Sequence, residues 1–67
     1  MLEVTLNGEK RSLPFPLTVE GLLQELRLDR RKVAVERNEE IVPRSLYAET
    51  ALVPGDSLEI VHFIGGG

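Results

Sequence analysis

Apolar and polar positions alternate from the start of the chain. Leu2, Val4 and Leu6 are separated by Glu3 and Thr5, the period-two pattern of a strand with one buried face. Asn7-Gly8 follows, a pair that accepts positive φ at both centres of a tight hairpin. Glu9 to Leu13 then predicts a second, more polar strand near a sheet edge. Leu13-Pro14-Phe15-Pro16 interrupts the alternation, because each proline lacks an amide donor and biases its predecessor to extended geometry. Beyond it the period changes. Val19, Leu22, Leu23 and Leu26 recur at helical spacing and form one apolar stripe, with Thr18 as N-cap and Glu20 in the first turn. Gly21 inside this helix costs about 1 kcal/mol relative to alanine. It is expected to mark a close approach to the sheet or to a partner.

The second half reads mainly as strands. Val33–Arg37 predicts a third strand, Asn38-Glu39-Glu40 a turn, and Ile41-Val42 a short strand ended by Pro43. Residues 44–50 fit a short helical turn or an irregular loop, with Leu46 and Tyr47 anchoring it to the core. Pro54-Gly55-Asp56 is a turn, and Ser57 to Phe63 the last strand. The economical architecture is α+β, a small mixed sheet packed on one helix. One stripe on one helix covers one face of that sheet, so the other face should be polar. The last strand breaks this expectation. With Leu58 and Ile60 facing the helix, Glu59, Val61 and Phe63 face away, and two of those three are apolar. Ile64 continues this surface. Val61, Phe63 and Ile64 are therefore candidate protein-docking residues. The alternative is that the loop carrying Leu46 and Tyr47 covers them.

Composition narrows the chemistry. A chain of 67 residues builds one small core, with little room for an internal active site. Eight basic and eleven acidic side chains give a net charge of -3, which argues against nucleic acid as a partner. There is no cysteine, hence no disulfide and no thiol nucleophile. The single histidine, His62, has no metal-ligand spacing and no paired nucleophile, so a structural role is expected. Glu39-Glu40 reads as a solvated turn, and neither Asn7-Gly8 nor Pro54-Gly55 opens a helix as a phosphate loop does. Arg27, Arg30, Arg31 and Lys32 read as solvated cations at or beyond the helix end. No run is long enough to span a membrane and no signal peptide is recognised, so the expected location is the cytoplasm. The expectation is a protein with no catalytic residues of its own, no metal and no bound cofactor.

What remains is the tail. Gly65, Gly66 and Gly67 are three of the six glycines, and they follow the last strand directly. The expected division is a folded domain over residues 1–64 and a flexible glycine tail over 65–67. Such a tail is either a frayed end or a working one. Residues 64–67 span roughly 13 Å when extended, enough to carry a carboxylate beyond the fold. Glycine also passes narrow channels that side chains would block. A carboxylate acylates poorly, but an enzyme can activate it as an acyl-adenylate.

The order of elements and the diglycine end resemble the β-grasp, ubiquitin-like fold. Within it the sequence is similar to the bacterial sulfur carrier proteins of thiamin biosynthesis, the ThiS family. The resemblance is carried by Ile41-Val42-Pro43-Arg44 followed by Tyr47, by Pro54-Gly55-Asp56 with Leu58-Glu59-Ile60, and by the ending Val61-His62-Phe63-Ile64-Gly65-Gly66-Gly67. It implies a last strand at the centre of the sheet, parallel to the first and flanked on its other side by the third. It also implies a mechanism. An ATP-dependent, ubiquitin-activating-like enzyme adenylates the Gly67 carboxylate. A sulfur donor such as a cysteine desulfurase relay converts the adenylate to a thiocarboxylate, and thiazole synthase consumes the sulfur. Gly65 and Gly66 would be the delivery arm, and ATP would be used by the activating enzyme. Other members of the fold suggest alternatives: a sulfur carrier for molybdopterin synthesis or tRNA thiolation, a protein modifier joined through Gly67 to lysines, or a non-covalent interaction module.

Overall fold

The computed structural model describes residues 1–63. Strands β1 (Leu2–Leu6) and β2 (Glu9–Leu13) pair antiparallel, in register from Leu2–Leu13 to Leu6–Glu9. Asn7 and Gly8 make the expected turn, with φ of 50° and 84°. Helix α1 (Val19–Glu25) follows, then a 3₁₀ turn at Arg30–Lys32, β3 (Val33–Arg37), β4 (Glu40–Ile41), a 3₁₀ segment at Arg44–Glu49, and β5 (Ser57–His62). The sheet order is β2-β1-β5-β3-β4. Strand β5 is central, parallel to β1 and antiparallel to β3, as the resemblance implied.

The helix forms where the apolar period changes. The Thr18 hydroxyl accepts a hydrogen bond from the Gly21 N–H at 3.1 Å, satisfying one orphan donor of the first turn. Val19, Leu22 and Leu23 are buried against the inner side of the sheet, where Leu2, Val4, Val35, Leu58 and Ile60 meet them. Packing supplies most of the stability of so short a helix, since seven residues lie well below the length that holds alone in water. Its end is a Schellman motif. The Leu28 N–H bonds to the Leu23 carbonyl at 2.9 Å and the Arg27 N–H to the Gln24 carbonyl at 3.1 Å. A Cβ on Gly21 would lie 2.8 Å from Leu17 Cδ1, so the close approach is to Leu17 rather than to the sheet.

Two local expectations are corrected, the bounds of β4 and the role of Leu46. Strand β4 is Glu40–Ile41, not Ile41–Val42; Val42 follows it, buried in the core, with its N–H still bonded to the Val35 carbonyl of β3 at 2.9 Å. Residues 44–49 form a 3₁₀ segment, anchored by the buried Tyr47 with the Arg30 guanidinium 5.6 Å above its ring. Leu46 is exposed and does not join the core. The turn at residues 53–56 is as expected, with Gly55 at φ 90° and the Asp56 N–H on the Val53 carbonyl at 3.1 Å.

Candidate functional site

Strand β5 is held at its start by a set of short-range clamps. The Asn38 N–H bonds to the Ser57 carbonyl at 2.7 Å, and the Ser57 N–H returns to Asn38 Oδ1 at 2.9 Å. Thr5 gives its N–H to the Asp56 carbonyl at 2.9 Å, and Asn7 gives its own to the Leu58 carbonyl at 2.8 Å. Asn7 Oδ1 then accepts the Ile60 N–H at 2.9 Å, extending the β1 side of the ladder past the end of β1. The buried carboxylate of Asp56 ties these loops together. It accepts from Arg37 Nε at 3.1 Å, Asn38 Nδ2 at 3.1 Å and the Val53 N–H at 2.9 Å. At the far end the Phe63 N–H bonds to the Lys32 carbonyl at 2.9 Å, so pairing with the β3 side continues to the last described residue.

The outer face of β5 is where the sequence placed it. Leu58 and Ile60 are buried, whereas Val61 and Phe63 are 54% and 52% exposed. The segment carrying Leu46 and Tyr47 does not cover them. It packs on the helix, and Tyr47 is buried there. Ala34 lies across from Val61, and Glu36 across from Glu59, so these four side chains share the outer face. Ile64 and the predicted tail residues Gly65, Gly66 and Gly67 lie outside the described residues.

The basic residues near this end are mostly engaged. Arg30 pairs with Glu20 at 2.8 Å and also donates to the Arg44 carbonyl at 2.7 Å. Arg31 pairs with Asp29 at 3.0 Å, and its side-chain and backbone hydrogen bonds hold the Asp29 carboxyl at a pKa of about 2. Lys32 forms no ion pair among the described residues. His62 is exposed, in register with the buried Val33. No group of three or more histidine, cysteine or acidic residues able to hold a metal occurs among the described residues. A shallow groove of about 330 Å³ lies between β4 and the 3₁₀ segment, lined by Arg37, Ile41, Pro43 and Leu46 among others. The fold thus offers a well-anchored central strand with an exposed apolar end.

Comparison with known proteins places this arrangement. The ThiS family matches residues 4–67. The chain belongs to the ThiS family. Its fold is the β-grasp of that family. The crystal structure of the thiamine biosynthesis protein ThiS from Geobacter metallireducens superposes with a TM-score of 0.83 at 32% identity, covering 98% of this chain and 100% of that one. The sulfur carrier protein ThiS of Bacillus subtilis is 46% identical over 50 residues, 75% of this chain and 76% of that protein. A thiazole synthase of Paramagnetospirillum magneticum is 59% identical over 66 residues, 98% of this chain. The chain spans only 20% of the length of that synthase, and 20% of a thiazole synthase from Magnetococcus marinus.

Proposed function

We propose that this ThiS-family chain is a sulfur carrier for thiazole formation in thiamin biosynthesis, with the Gly67 carboxylate as the group that carries sulfur. The match to the ThiS family, which runs through residue 67, is the observation that supports the reading best. In the proposed reaction an adenylating enzyme binds ATP, and the carboxylate displaces pyrophosphate to give an acyl-adenylate. A persulfide-type donor, such as a cysteine desulfurase relay, then attacks the acyl carbon through its outer sulfur, and AMP leaves to give an acyl disulfide. A second thiol attacks the donor-side sulfur, breaking the S–S bond, so that the thiocarboxylate is released and the two thiols are left as a disulfide. Thiazole synthase takes the sulfur and returns the carboxylate.

The chain acts as co-substrate: it supplies the carboxylate that carries sulfur, and the catalytic groups belong to its partners. Its own contribution is positional. Strand β5 fixes the departure point of residues 64–67, Gly65 and Gly66 leave the path to the acyl carbon unobstructed, and Val61, Phe63 and Ile64 supply apolar contact with the enzymes. The location proposed is the cytoplasm, where ATP is available. No helix among the described residues is long and apolar enough to cross a membrane.

The test is the intact mass of the chain, ending in a free Gly67 carboxylate, after incubation with adenylating enzyme, ATP and a sulfur donor. The expected product is heavier by the difference between sulfur and oxygen, and deletion of Gly67 removes the product without unfolding the protein. Unimpaired sulfur loading of the truncated chain overturns the assignment.

A further inference from the structure

The outer face of the sheet carries a feature that neither the core nor the tail explains. Glu36 on β3 and Glu59 on β5 are direct register partners and point to the same exposed side. Like charges directly opposite each other across two strands are destabilising. Neither carboxylate forms an ion pair among the described residues, where the pairs are Arg30–Glu20, Arg31–Asp29 and Arg37–Asp56. Arg37, the neighbour of Glu36 in sequence, points to the other side and is taken by Asp56. The next register pair along the same face is Ala34 and Val61, and Phe63 with Lys32 lies beyond it. From the start of β5 toward the tail, the face therefore presents two acids, then apolar surface, then a cation.

We infer that Glu36 and Glu59 form the charged half of a docking site for an arginine of thiazole synthase, with Val61 and Phe63 as the apolar half. The identity of the partner rests on the sulfur-carrier reading above. The chemistry of the contact rests on the face itself. A planar guanidinium has five donors in a fixed fork, so one arginine can serve two carboxylates held side by side. Nucleic acid and anionic lipid are repelled by the pair. Thiazole synthase is favoured as occupant because relatives carry this sequence within a synthase chain, where the two would meet at high effective concentration. The pattern also sets direction. An arginine bound at Glu36 and Glu59 fixes which end of the face lies toward the partner's reaction centre, so that residues 64–67 enter it rather than point away.

The experiment compares the wild-type chain, Glu36→Gln with Glu59→Gln, and Val61→Thr in binding to full-length thiazole synthase over a range of salt. Removing both acids should weaken binding about tenfold or more at low salt and flatten its salt dependence, because desolvated charge pairs carry both effects. The same variant should melt at the wild-type temperature or above, since a repulsion has been removed. Val61→Thr should weaken binding without changing the salt dependence. Wild-type affinity and salt dependence in the doubly neutralised chain overturn the inference. So does a wild-type dimer by sedimentation that the neutralised chain loses, because the face would then belong to a second copy. If the wild-type chain takes up sulfur yet does not bind the synthase, the inference fails and the carrier reading stands. If it binds with the expected charge dependence but takes up no sulfur, the inference stands and the carrier reading fails.

Discussion

Asp56 shows how much one residue can organise in a small protein. It is 3% exposed, the one charged side chain buried among the described residues, and every contact it makes is a constraint on where β5 begins. Its carboxylate holds the β3–β4 turn through Arg37 and Asn38 and the preceding loop through the Val53 N–H, while its carbonyl receives Thr5 of β1. Replacing it with alanine leaves three donors without their acceptor, one of them charged. Asp56→Ala should therefore lose about 2–4 kcal/mol of unfolding free energy, less than for a fully buried pair because Arg37 reaches water. Urea denaturation measures this, and a loss below about 1 kcal/mol would show that water replaces the carboxylate freely. The sequence marks Pro54-Gly55-Asp56 as a turn, from proline and glycine chemistry that is local. The clamp is not legible there, because Arg37 and Asn38 lie 19 and 18 residues away and only the folded chain brings them to Asp56. The same holds for Asn7. Its turn role is written in Asn7-Gly8, but its bond to Ile60 spans 53 residues.

At the scale of elements, period and punctuation carry the information and ends are where it runs out. The alternation in β1 and the stripe in α1 are strong enough to place both, because each buries a continuous apolar face. β4 is two residues long, too short for any period, and its position is decided by the burial of Val42 instead. Residues 44–49 have no period either, and only Tyr47 of the two expected anchors enters the core. The end of α1 is the instructive case. A Schellman motif places its residue after the C-cap in the left-handed region, where glycine is usual. Here that residue is Arg27, at φ 58°. The motif forms anyway because Leu28 packs against the core, compensating a conformation that costs a side-chain-bearing residue about 1–2 kcal/mol. Glycine at this position removes that strain but orders a freer backbone on folding. Arg27→Gly should raise stability by about 0.5–1 kcal/mol net, seen as a higher melting temperature. A lower melting temperature would mean that the arginine stem contributes packing that exceeds the strain.

At the scale of the whole molecule, one helix and one sheet leave one face open. That asymmetry is legible from the sequence, because a single apolar stripe covers a single face and Val61 and Phe63 fall on the other one. The parallel pairing of β5 with β1 is not legible from period, since register partners so far apart in sequence leave no local mark. It came from the family resemblance. The open face allows folding and docking to be separated, because residues that are half exposed contribute little to the core. Replacing Val61 and Phe63 together with threonine keeps a strong strand former at both positions while removing the apolar surface. Such surface changes lie within about 0.5 kcal/mol each, so the melting temperature should move by only a few degrees. Sulfur loading by the adenylating enzyme should fall about tenfold or more, as when apolar anchors are lost from the centre of an interface. The intact-mass assay at matched time points reads the second quantity, and thermal unfolding the first. A large drop in melting temperature would assign the two side chains to the fold. Wild-type loading with an unchanged melting temperature would show that the enzyme engages the tail without this face.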